Sequence, residues 1–194
     1  GGLDTNELAA EIVRQLEAFE RETGHPPDYL DGHQHVHALP VVRSALLQAL
    51  QSYDPDRRMF VRDPADRTTA ILKRRVSAAK ALVIAAVSAG FGAMIRKAGF
   101  ATNMGFSGVS AFGEHTPYAT ELAAFFRASG PCHLVMCHPG YPDDALAALD
   151  PVVGRRRQEL DAIMAAPGLD AAIWHVTRDP GTGRVRWPTY EARA

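Results

Sequence analysis

Short apolar runs alternate with longer stretches of helical periodicity from one end of this chain to the other. Strands so short and apolar, each followed by a helix, are the pattern of parallel βαβ units, because parallel neighbours need a helical crossover and bury both faces. The fold class expected is therefore α/β, as a sheet or a barrel. Asp4 with Glu7 makes a capping-box-like start, and Leu8, Ile12, Leu16 and Phe19 fall on one face of the helix that follows, which Gly24 and Pro26-Pro27 stop. Strands are expected at Tyr29–Gly32 running on through His37, at Arg58–Arg62, over Phe100–Ser107, at His133–Cys137 and at Ala171–Val176. Helices are expected from Pro40, from about Thr69 to Ala98, over Pro117–Ala128 and over Gly154–Ala165.

The 194 residues are the size of one domain, read here as residues 1–194. With 46% hydrophobic and 22% charged residues the chain is of ordinary globular composition. Its 21 basic and 22 acidic residues leave a formal charge of −1, which provides no footprint for nucleic acid or an anionic membrane. Cys132 and Cys137 are too few for a disulfide framework and are expected to be buried free thiols. Ala81–Ile95 carries no charge but is shorter than a membrane span and broken by Ser88, Gly90 and Gly92, so a buried helix is expected there. No signal peptide opens the chain at Gly1-Gly2, and the expected compartment is the cytoplasm.

In α/β folds the chemistry gathers where strands end. Asp31-Gly32-His33-Gln34-His35-Val36-His37 places three of the eight histidines within five positions. In an extended segment Asp31, His33, His35 and His37 would share one face, neighbours in the row lying about 7 Å apart, close enough for two imidazoles to share a metal. The outer pair, roughly 13 Å apart, would not share one. The segment reads either as a divalent metal site using one or two imidazoles, with Asp31 orienting a ring, or as a solvated polar edge.

His138 follows the apolar run Leu134–Cys137 and is held by Pro139-Gly140, which makes it a candidate general acid or substrate-orienting group. Arg62 ends a strand and is a candidate substrate contact. The Gly/Ser-rich run Phe106–Gly113 reads as a plain turn or, as the alternative, a ligand cradle; Arg155-Arg156-Arg157 is expected to form a solvated helix face, and His25, His115, His133 and His175 to be structural. Neither a phosphate loop, a nucleophile elbow nor a His-Glu-x-x-His helix is present.

The histidine segment, closing on Pro40, resembles the Asp-x-His-x-His-x-His-x-x-Pro signature of the YdjC-like carbohydrate deacetylases, a family that includes chitooligosaccharide deacetylases and proteins of hopanoid gene clusters. Gly105-Phe106-Ser107-Gly108 with Phe112-Gly113, Met136-Cys137-His138-Pro139-Gly140-Tyr141 and Arg156-Arg157-Gln158-Glu159-Leu160 agree with it in order. The resemblance implies a TIM-barrel-like fold and one divalent ion, magnesium or zinc. The family's ligands are an aspartate from an Asp-Asp-Phe-Gly strand, a histidine from a Gly-x-His segment and the first motif histidine. Only the last has a counterpart, His33, so the chain is expected to correspond to the C-terminal two-thirds of a family domain, with its barrel incomplete at the N-terminus.

What the resemblance implies for function is metal-dependent hydrolysis of the acetamido group of an N-acetylated sugar or oligosaccharide. His33 is then the metal ligand; Asp31 and His138 are catalytic, as ring-orienting carboxylate and proton donor; His35, His37, Arg62 and Tyr141 are on the substrate side. No nucleic acid or membrane span is expected, and a homodimer is one assembly to consider. The alternatives are a non-catalytic carbohydrate- or metal-binding remnant, inactive as it stands, and a phosphoesterase-like metal hydrolase on a similar barrel.

Overall fold

A computed structural model describes residues 2–113, 116–173 and 177–186. Its elements in chain order are α1 (Thr5–Thr23), β1 (Tyr29–Leu30), a 3₁₀ segment (His33–Ala38), α2 (Pro40–Tyr53), β2 (Phe60–Val61), α3 (Thr68–Arg74), α4 (Ala78–Val87), α5 (Phe91–Lys97), β3 (Phe106–Ser107), α6 (Tyr118–Phe125), β4 (Leu134–Val135), α7 (Asp144–Leu149), α8 (Gly154–Ala165), α9 (Leu169–Ala172), β5 (Thr177–Arg178) and β6 (Val185–Arg186). The class is mixed α/β, about half helix with a few two-residue strands. The chain divides into two units, one of residues 1–65, 84–104 and 176–194, the other of residues 66–83 and 105–175.

In the first unit α1 begins as the sequence dictates: Asp4 accepts the backbone N–H groups of Asn6 and Glu7 at 2.7 and 3.2 Å. It ends at Gly24, whose left-handed φ of 78° lets its N–H reach Glu20 O. Ala9, Ala45 and Ala49 are buried where α1 meets α2, small enough to let the two helices approach closely. β1 and β2 pair in parallel, Tyr29 opposite Phe60 and Leu30 opposite Val61, with α2 as crossover. Leu16, Leu46, Leu50, Met59, Val61, Phe91, Ile95 and Phe100 form the core beneath them.

Ala101 makes one parallel bridge to Phe60, and there the ladder ends. It is continued by a side chain: the Asp63 N–H donates to Asn103 Oδ1 at 2.7 Å, and Asn103 Nδ2 donates to Asp63 O at 2.8 Å. The strand expected over Phe100–Ser107 thus breaks into that bridge, a bridge residue at Met104 and β3.

The helix expected over Thr69–Ala98 is three helices. Left-handed residues Arg75 and Ser77 separate α3 from α4, and Gly90, φ 79°, separates α4 from α5. The expected burial of Ala81–Ile95 holds for α5, where Phe91 and Ile95 are buried, but on α4 Val83 is 63% exposed. Among the described residues no single helix is long and apolar enough to cross a membrane; α4 and α5 reach that length only together, bent by 42°.

In the second unit β3 and β4 pair in parallel, Phe106 opposite Leu134 and Ser107 opposite Val135, with α6 between them. Tyr118, Leu122 and Phe125 of α6 pack on Val135, Ala162 and Ile163. Gly108 passes so close to β4 that a Cβ there would lie 2.0 Å from Met136 O. Arg74 is buried, paired with Asp66 and donating to the carbonyls of Arg127, Phe106 and Ala128. The strand expected at Ala171–Val176 begins as the helix α9, and its residues 174–176 lie outside the described residues, as do His115 and His175. Cys132 is buried as expected, whereas Cys137 is exposed; both are free thiols.

Candidate functional site

The motif Asp31–His37 is not extended. After β1 the chain turns into the 3₁₀ segment, with Gln34 and His35 both left-handed at φ 51° and 65°. The single face expected from strand periodicity is therefore absent, and the four side chains differ in burial and in partners. His33 is exposed, His35 half-buried and His37 buried, at 3% exposure. Gly32 makes the turn possible: a Cβ on it would sit 2.6 Å from His37 Nδ1.

His37 pins this turn. Its Nδ1 accepts the Gly32 N–H at 3.1 Å and its Nε2–H donates to Arg62 O at 2.8 Å. Those bonds assign the neutral Nε2–H tautomer, and Phe91 packs edge-on at 5.3 Å between ring centres. Burial, outweighing its hydrogen bonds and the Asp31 charge, lowers the ring's pKa from its ordinary value. With both nitrogens engaged inside the protein, its ring faces β2 and not solvent, in contrast to the substrate-side position expected.

Arg62, immediately after β2 and itself buried, gathers the rest. One guanidinium nitrogen pairs with Asp31, the other donates to His35 Nδ1 at 2.9 Å. Asp31, His35, His37 and Arg62 thus converge at the carboxyl ends of two parallel strands. His33 stands outside this network, its ring without a hydrogen-bond partner among the described residues.

This donor set does not make a metal sphere. A divalent ion needs about four ligands or more; here Asp31 is neutralised by Arg62, His35 faces a guanidinium and His37 has no open nitrogen. His33 alone offers an open imidazole, and among the described residues no group of three His, Cys, Asp or Glu side chains is disposed to hold an ion.

In the second unit His138 ends the run after β4. Its backbone N–H donates to the Glu159 carboxylate, and its ring meets Phe112 edge-on at 5.3 Å. Phe112 in turn lies under Lys80, whose Nζ is 4.8 Å from the ring centre and donates to Ser110 O at 3.0 Å. Phe106–Gly113 thus supplies the aromatic neighbour of His138. Burial lowers the His138 pKa from its ordinary value, and Glu159 opposes the shift. Tyr141 is 78% exposed, with the Arg157 guanidinium 5.8 Å from its ring centre.

Arg155, expected on a solvated face, is 1% exposed and pairs with Glu121. The Arg155–Glu159 spacing of four carried the signal for this, since it sets opposite charges on one helix face. Asp63, Asn103, Asp66 and Arg74 are partners that local pattern did not reveal. His133 is structural as expected: its Nε2 lies 2.8 Å from Ser107 Oγ, and burial lowers its pKa to about 4. His25 lines a cleft of about 600 Å³ before β1 and β2, with Tyr53, Asp28 and Arg178, at the strand ends away from Arg62.

The fold is mixed α/β, and both clusters of candidate site residues stand where parallel strands end. The chain belongs to the YdjC-like protein family, which matches residues 1–171. It is 32% identical over 152 residues to a carbohydrate deacetylase of Mus musculus, covering 73% of this chain and 48% of that protein. The Homo sapiens carbohydrate deacetylase is 31% identical over the same length, with 73% and 46% covered. A chitooligosaccharide deacetylase of Yersinia pestis (strain Pestoides F) is 48% identical over 42 residues, 22% of this chain and 17% of the relative. The chain spans about half the length of the first two relatives. No solved structure shows a significant match.

Proposed function

We propose that the protein hydrolyses the acetamido group of an N-acetylated sugar or oligosaccharide: water adds to the acetyl carbonyl, the C–N bond breaks, and acetate and a free amine leave. The observation that carries this reading is the Asp31–Arg62–His35 cluster, in which Arg62 joins two residues of the motif that resembles the deacetylase signature. Arg62, with its guanidinium already aimed at Asp31, is suited to hold a sugar hydroxyl or the acyl oxygen, and His35 presents its ring beside it. His37 serves from behind, by fixing the turn. Tyr141 offers an open aromatic face to a sugar ring.

His138 is assigned the proton delivered to the leaving amine. With its pKa lowered, the neutral ring predominates at pH 7, so it takes a proton from the attacking water before giving one up, and its protonated form donates more readily than an ordinary imidazolium. The reading includes dependence of the whole protein on a divalent ion, magnesium or zinc, to which this chain contributes His33. When bound, the ion would polarise the acetyl carbonyl toward attack. Residues 1–194 are taken as part of one YdjC-like domain, and parallel pairing with helical crossovers within each unit supports a TIM-barrel-like reading.

The test is acetate release from N-acetylated chito-oligosaccharides by the full-length protein, with metal content measured alongside. Release that falls at least tenfold in His138→Ala supports the reading; no release from any N-acetylated sugar by folded protein refutes it. One observation, the neutralisation of Asp31 by Arg62, favours a second reading as a non-catalytic sugar-binding module. Binding of the same oligosaccharides without turnover selects it.

A further inference from the structure

Helix α8 reaches the turn after β4 twice. The Gly140 N–H donates to the backbone oxygen of Arg156 at 3.2 Å, and the His138 N–H donates to the Glu159 side chain. Pro139, between them, has no N–H. Of these two anchors one is backbone and independent of sequence; the other depends on a single side chain. Glu159 is only 1% exposed, as is Arg155, whose Nε lies 3.9 Å from it on the next turn of the helix.

Arg155 explains how a carboxylate is kept there. Its guanidinium also pairs with Glu121, donates to Thr116 O at 2.8 Å and Gly113 O at 3.3 Å, and lies 4.9 Å from the centre of the Tyr118 ring. One buried cation therefore lies within ion-pair reach of the Glu159 carboxylate and ties down the segment that presents Phe112 to the His138 ring. Isolated buried charge is expensive, and a buried pair is retained at a cost that a neutral acceptor would avoid. A glutamine at 159 would still accept the His138 N–H, through a neutral oxygen. What it would not supply is the negative charge that favours the protonated ring.

We propose that Glu159 is a positioning residue for His138 in the hydrolysis, fixing the backbone of its turn and bringing a buried negative charge to it, with Arg155 as the countercharge of Glu159. The inference rests on the deacetylase reading for its catalytic meaning. The charged groups facing His138 are Glu159 and Asp150, which favour its protonated form, and Arg156 and Lys80, which oppose it. Asp150 is tied to Arg156 in an ion pair of 2.5 Å, so each largely cancels the other, and Glu159 is left as the principal negative charge at the ring.

The experiment compares wild type, Glu159→Gln and Arg155→Lys in the full-length protein by NMR titration of the His138 ring and by the pH profile of acetate release. Glu159→Gln keeps the acceptor and removes the charge. It is expected to move the His138 midpoint down by about half a pH unit or more, to carry the acid limb of kcat with it, and to leave KM within about twofold. Arg155→Lys, which cannot span Glu121, Thr116 and Glu159 together, should move the midpoint in the same sense and lower kcat further. A folded Glu159→Gln protein with an unmoved His138 midpoint overturns the proposal. A wild type that releases no acetate sinks the deacetylase reading instead, and the NMR midpoint still decides the coupling of Glu159 to His138.

Discussion

Arg62 Nη1 lies 2.9 Å from His35 Nδ1, so a cation donates to the imidazole nitrogen that would otherwise be free to bind one. The same guanidinium neutralises Asp31. The geometry uses the planar fork of arginine: two acceptors from a single turn are served by two nitrogens of one rigid group. A lysine carries the charge but presents a point, not a fork.

Arg62→Lys is therefore expected to keep one of the two bonds and lose the other. Acetate release should fall at least tenfold, while stability drops by only about 1–2 kcal/mol, because Asp31 is partly open to water. Steady-state kinetics beside urea unfolding separates the two effects. Activity equal to wild type would remove Arg62 from the substrate side.

His37→Phe preserves the shape of the ring against Phe91 and removes both of its hydrogen bonds. The Gly32 N–H and the Arg62 carbonyl then lose their partners, a destabilisation of about 2–4 kcal/mol. Urea midpoints measure it; a change below about 0.5 kcal/mol would show that the pin carries no load.

Acidification should destabilise the protein well before its carboxylates titrate. In the folded state the pKa of His37 is lowered, and that of His133 is lowered to about 4 from 6.5. Between those values the unfolded chain binds protons that the folded chain refuses, so the unfolding free energy is level above pH 6.5 and falls as the pH drops toward 4. His133→Gln should flatten part of that slope in urea titrations at stepped pH. Stability that rose on acidification would contradict the sign.

Gly108→Ala tests the close approach of β3 to β4. The added Cβ would lie 2.0 Å from Met136 O and 2.7 Å from Met136 N, at a φ of +101° that other residues rarely adopt. A loss of about 3 kcal/mol or more is expected, read as a drop in thermal midpoint. Gly24→Ala, left-handed but with open space around it, should cost less.

The helices were legible in the sequence where caps and periodicity act locally: Asp4, Gly24 and Pro40 mark real boundaries of α1 and α2. The strands were legible as apolar runs but not in extent, since two-residue strands have no period to read. The histidine segment misleads because its left-handed positions are Gln34 and His35, residues whose type does not announce such a conformation. Arg62 could be picked out because it ends a strand. Asp63 with Asn103 and Arg74 with Asp66 could not, because nothing in local sequence marks a charged or amide residue as buried when its partner is brought in by the fold. Arg155 lay between these cases, its helical spacing to Glu159 visible and its burial not.

The Asn103 amide has a consequence of its own. A backbone ladder accepts almost any residue, since the groups that pair are common to all of them; here the last rung is made by a side chain carrying both a donor and an acceptor. Aspartate at 103 would lose the donor, leucine both groups, and glutamine would overshoot by a methylene. At this one rung the sheet has passed from chain geometry to the genetic code, so drift at position 103 should be tolerated only where Asp63 finds another neighbour.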